Sequence, residues 1–115
     1  MAAGLYDITI EQGATFTLSL TWKDSTDAPV NITGYTARMQ VRENYEAEST
    51  LVSLTSSGGD IVLGGALGTI AITIAASVTQ LLQLDEAVYD LELVNGATVT
   101  RLLQGKATVS REVTR

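Results

Sequence analysis

Cysteine and histidine are both missing from this chain of 115 residues. Without cysteine there is no disulfide framework, thiol nucleophile or cysteine zinc site. Without histidine the commonest general base and the commonest metal ligand are gone. Any enzymatic reading is left with carboxylate or lysine chemistry, and no catalytic residue, metal site or cofactor is expected. Charge is also thin, at 17% of residues against a usual quarter, and the balance is acidic at -6. A phosphate-binding surface needs clustered Lys and Arg, so direct nucleic-acid binding is not expected. No run of about 18 apolar residues exists to cross a membrane as a helix. The start, MAAGLYDITI, has neither the basic opening nor the apolar stretch of a secretory signal, so synthesis in the cytosol without a secretion address is expected. Aromatic residues make up only 5%, too few for the stacking platforms of a sugar cleft.

What is present is alternation. In ATFTLSLTW, Phe16, Leu18, Leu20 and Trp22 fall on one face and Thr15, Thr17, Ser19 and Thr21 on the other. TGYTARMQVR repeats the pattern, with Tyr35, Ala37, Met39 and Val41 against Thr36, Arg38, Gln40 and Arg42. A period of two marks a strand with one buried face. LYDITI, LVSLT, DIVLGG and GTIAITIAA read as further strands. AVYDLELV is joined through Asn95-Gly96 to ATVTRLLQGKATV, the strongest short hairpin signal. Gly105 within the return strand predicts a bulge or a close backbone approach. Ser77 and Gln80 stand at capping-box spacing, which predicts one short helix over about 77–84, with Leu81, Leu82 and Leu84 plugging the core. The polar turn Lys23 to Val30 holds the only proline, and its Asp and Ser side chains can bond their own backbone. About seven or eight short strands with turn signals between them make an antiparallel all-β sandwich or barrel. No repeat or long linker divides residues 1–115, so a single domain is expected.

Each cluster of polar residues has two readings. Glu43, Glu46 and Glu48 lack the tight loop of a calcium site and read as a solvated loop. Asp90 and Glu92 share one strand face with Val88 and Val94. They are carboxylates for acid–base work in one reading, and cross-strand partners of Arg38, Arg42 or Arg101 in the favoured one. The glycine loops SGGD and LGGALG lack the lysine of a phosphate cradle and read as turns. Trp22 closes a core-facing run, so packing is preferred to base or sugar stacking. Finally, LGTIAITIAA carries no charge over its length, which fits a buried strand or a permanent assembly better than a free edge.

The pattern YDITIEQGATFTLSLTWKD, then PVNITGYTARMQVR, then YDLELV and RLLQGKATVS, resembles small structural proteins of tailed bacteriophage virions. It is also similar to the immunoglobulin-like N-terminal domain of phage baseplate upper proteins. The resemblance covers nearly the whole chain. It implies an immunoglobulin-like antiparallel sandwich without enzymatic activity, located in the virion after assembly in the host cytoplasm. It implies partners among the tail, neck, baseplate or capsid proteins, and a homo-oligomer within the particle. Baseplate upper proteins continue into a long C-terminal region, while this sequence ends at Arg115, so no direct host-binding role is expected. Arg38, Arg42, Asp90, Glu92 and Arg101 are the residues expected to pair strands or subunits, and the first strand and the tail after Ser110 to dock neighbours. A capsid cement protein is the alternative within the virion. A carbohydrate-binding module is the alternative outside it.

Overall fold

Alternation of Thr or Ser with Ile, Leu or Val leaves each strand with one apolar face, and two sheets bury those faces against each other. The computed structural model describes residues 4–114. The strands are β1 (Gly4–Leu5), β2 (Ile8–Glu11), β3 (Phe16–Thr21), β4 (Thr36–Arg42), β5 (Val52–Thr55), β6 (Ile61–Leu63), β7 (Thr69–Ile74), β8 (Glu86–Asn95) and β9 (Thr98–Ser110). A single-turn helix, α1 (Ala76–Thr79), crosses from β7 towards β8. The larger sheet runs β1-β9-β8-β4-β5, with β2 also on β9; the smaller runs β3-β7-β6. This is the strand arrangement of an immunoglobulin-like sandwich.

The core lies between the sheets. Met39, Val41, Leu91 and Leu93 from the large sheet meet Ile70, Ile72, Ile74 and Ile61 from the small one, all essentially inaccessible. Burying a side chain of this size contributes about 1.5–3 kcal/mol. Antibody domains fill the same space with a disulfide and a tryptophan; here aliphatic packing does the whole task. Trp22 sits at the core margin, half-buried, with its ring edge-on to Tyr35 at 6.2 Å between centroids.

Four expectations need correction. The sandwich is not wholly antiparallel: β1 and β2 run parallel to β9, with Gly4 opposite Leu103 and Ile10 opposite Val109. The helix is shorter than residues 77–84, its N-cap is Ala75, and no capping box forms between Ser77 and Gln80. Of the three leucines, Leu82 is buried and Leu84 packs on the core, but Leu81 is exposed. The backbone tightens into turns after Thr79, which rotates Leu81 outward. In the hairpin, Asn95 pairs with Thr98, so Gly96 and Ala97 form the two-residue turn. Gly96, at φ 60°, supplies the positive angle a type II′ turn needs first. The bulge in β9 falls at Leu102, because Leu91 faces Leu103 while Glu92 faces Arg101.

Gly105 is the close backbone approach, the second of the two expectations for it. A Cβ there would lie 2.4 Å from the Tyr6 carbonyl oxygen and 2.8 Å from Asp7 Oδ1. The ladder on β9 is interrupted between β1 and β2 at these two residues, while its register is the same on either side. Asp7 then accepts a hydrogen bond from the Lys106 N–H at 2.9 Å, and the Tyr89 hydroxyl donates to the Tyr6 carbonyl. The predicted turn at Lys23 to Val30 also forms. Asp24 accepts from Thr26 N and Oγ1 and from Ala28 N, and these bonds, the Thr26 side chain's first, hold its carboxyl below the usual range.

Candidate functional site

The outer face of the large sheet carries the named polar residues, because β4, β8 and β9 present alternate positions to solvent. Antiparallel registry sets Arg38 opposite Glu92, and Glu92 opposite Arg101. It sets Gln40 opposite Asp90, and Asp90 opposite Gln104. Two rungs therefore lie side by side across three strands. The bulge at Leu102 decides this. Without the extra residue, Arg101 would turn to the core face and Glu92 would lose its second cation.

The rungs are charge-paired. Arg38 Nε donates to Glu92 Oε1 at 2.7 Å. Arg101 Nε lies 3.5 Å from Asp90 Oδ2 and 4.0 Å from Glu92 Oε2, and Arg101 also donates to Gln104. Arg42 does not join them. Its guanidinium donates to the Ala47 carbonyl at 2.8 Å and to Gln40 Oε1 at 3.0 Å, which ties the loop after β4 back to the sheet. The expected carboxylate partner for Arg42 is therefore replaced by a loop carbonyl. Its strand ends where the chain turns, so the loop is the nearer acceptor.

Asp90 is held above the usual carboxylate range, first by burial and then by the neighbouring Glu92, with Arg101, Arg38 and Arg42 opposing. Beside it Gln40, Arg42, Tyr45, Val88 and Gln104 line a shallow depression of about 240 Å³. Tyr45 is largely exposed there. Glu43, Glu46 and Glu48 stand exposed in the adjoining loop. No group of three or more Asp or Glu among the described residues is placed to hold a metal ion. No helix in them is long and apolar enough to cross a membrane.

A second polar centre lies at the end of the sandwich, and sequence reasoning missed it. Gln12, 8% exposed, is one of two buried polar residues there, with Thr79. Its side-chain nitrogen donates to the Leu82 carbonyl at 2.9 Å and the Gln80 carbonyl at 3.3 Å. Its oxygen accepts from Glu112 N at 2.9 Å and from Arg111 Nε at 3.3 Å. Thr79 Oγ1 accepts from Gly13 N and donates to the Ala14 carbonyl at 2.8 Å. Gly13 is at φ 83°, and a Cβ on it would overlap the Glu112 carboxylate. One amide thus joins the β2–β3 turn, α1 and the segment after β9. The signal was present as a Gln-Gly pair ending a strand, but it is too common to be specific. No family model matches the chain, and no curated protein matches it.

Proposed function

We propose that the chain is a non-enzymatic structural module of a tailed bacteriophage virion, connecting or reinforcing components of the tail, neck or baseplate in several copies. The observation that carries this reading is the small sheet's outer face. Thr17, Ser19 and Thr21 on β3 stand beside Thr69, Ala71 and Thr73 on β7, with Val62 on β6, and none carries a charge. All seven are exposed. Strand positions without charge match the depletion of charged residues at the centre of protein–protein interfaces. The charged residues of the other sheet neutralise one another in the Arg38–Glu92–Arg101–Asp90 array, which leaves them as strand ties. The sequence resemblance supports the same reading. EQGATF builds the Gln12 lock, and YDLEL with RLLQG builds the β8–β9 hairpin.

Quantitative mass spectrometry of purified particles tests the proposal. About six to twenty-four copies are expected from the ring symmetries that closed assemblies favour. Hundreds of copies would move the protein to the capsid as a cement protein, and absence from the particle would end the virion reading. Glycan arrays test the carbohydrate-binding alternative, for which Tyr45 beside Gln40, Asp90 and Gln104 is the place to look. Loss of a glycan signal in Tyr45→Ala would favour that class over the structural one.

A further inference from the structure

Strand β3 is an edge of the small sheet, and the N-terminal strands, which pair with β9, leave it uncovered. Trp22 N donates to the Gly68 carbonyl across the continuation of the β3–β7 ladder. Antiparallel bonding alternates, so Phe16, Leu18 and Leu20 turn their backbone groups to β7, and Thr17, Ser19 and Thr21 turn theirs outward. No partner for those outward N–H and C=O groups occurs among the described residues. Natural edges are blunted by charge, proline, bulges or a covering segment. None of these devices is present in FTLSLT, which has no charge, no proline and regular register throughout. Its inward residues Phe16, Leu18 and Leu20 stay only partly buried.

We propose that β3 is a self-association edge: it pairs antiparallel with β3 of a second copy across a two-fold axis at Ser19. The outward groups of Thr17, Ser19 and Thr21 set this register, and the symmetric alternation of FTLSLT makes a second copy a complementary occupant. With Ser19 opposite Ser19 of the second copy, Thr17 meets Thr21 of the second copy, and every outward group finds a partner. The same register sets Leu18 beside Leu20 of the second copy and Phe16 beside its Trp22, which covers the half-buried inner face. Hydroxyls meet hydroxyls outside, and no like charges face each other along the strand. An isologous contact of this kind closes at two copies. One strand pair is smaller than the roughly 1,200 Å² that a stable complex buries, so association is weak in dilute solution and gains strength where copies are held together. Each copy carries a formal charge of -6, so added salt strengthens the contact by screening. The inference stands apart from the virion reading, since the pairing belongs to the chain itself.

The absence of native cysteine gives a clean test. A hydrogen-bonded antiparallel pair places its Cα atoms about 5.5 Å apart, within disulfide reach. Ser19→Cys is expected to cross-link under mild oxidation about tenfold faster than Thr73→Cys, an exposed control on β7, because pairing raises its effective concentration. Sedimentation of the unaltered chain near ~1 mM should show a dimer that strengthens with salt, and Ser19→Lys, checked for folding by circular dichroism, should be monomeric. Equal cross-linking rates at the two cysteines, or a dimer unchanged by Ser19→Lys, would overturn the proposal. A chain that stays monomeric at all concentrations, with or without added salt, would also overturn it.

Discussion

Gln12 reaches Leu82 across 70 residues of sequence, its amide nitrogen 2.9 Å from the leucine carbonyl. The same side chain accepts from the backbone of Glu112. One residue thus sets where the small helix lies and where the last strand hands over to the tail.

Replacing Gln12 by Ala leaves the Leu82 carbonyl and the Glu112 N–H without these partners. A buried polar group stripped of its partner costs about 1–3 kcal/mol. Urea unfolding should show a lower midpoint at unchanged slope. Gln12→Glu should lose nearly as much at neutral pH, because a carboxylate cannot donate to Leu82.

Gly105→Ala is expected to loosen the first strand. The added methyl meets the Tyr6 carbonyl carbon at 2.9 Å and its oxygen closer still, and such overpacking costs roughly 1–3 kcal/mol. Amide exchange should rise at Leu5, Tyr6 and Lys106 before it rises in β4. Gly34→Ala, at a positive φ of 84° but with open space around it, is the strain-only control.

The Arg38–Glu92 contact is accessible to solvent on the arginine side. A double-mutant cycle with Arg38→Ala and Glu92→Gln should return a coupling of about 0.2–1 kcal/mol, reduced by salt. A much larger coupling would show that the array is more rigid than a surface ion pair. Arg42→Ala should instead raise exchange in the loop around Ala47, the residue whose carbonyl it holds.

Tyr89 carries an alkaline signature. Burial, with Tyr6 and Asp7 adding to it, pushes its phenol up to about 12. The folded state thus keeps a proton that the unfolded chain releases near 10. The stability from this protonated phenol is complete below pH 10 and is lost as pH rises towards 12. Absorbance titration should find one of the four tyrosines ionising late. Tyr89→Phe should remove that step and flatten the alkaline loss of stability.

Strands were legible wherever the period of two ran unbroken. Phe16 to Thr21, Thr36 to Arg42 and Thr69 to Ile74 all place the expected residues inward. Pairing partners were less legible, because alternation says which face is buried and nothing about which strand lies alongside. The parallel seat of β1 and β2 on β9 was therefore invisible, as was the use of Gly105 to admit Tyr6. The extent of the helix was not legible, because three leucines in four positions fit several turn geometries, and bonds from Gln12 hold the one observed. For the polar face, opposite charges at alternating positions pointed to Arg38 with Glu92. Placing Arg101 in that row also required the Leu102 bulge, which no local signal marks.

The parallel seat of β1 and β2 on β9 has a mechanical consequence. Gly4 lies beside Leu103 at one end of that ladder, and Ser110 lies beside Glu11 at the other. A pull applied at Gly4 and Ser110 therefore acts along the strands and loads the whole ladder in shear. Its hydrogen bonds share the force and must yield together; they do not peel open one after another. Under tension the module resists through its first and last strands, with Asp7 on Lys106 acting as a catch midway.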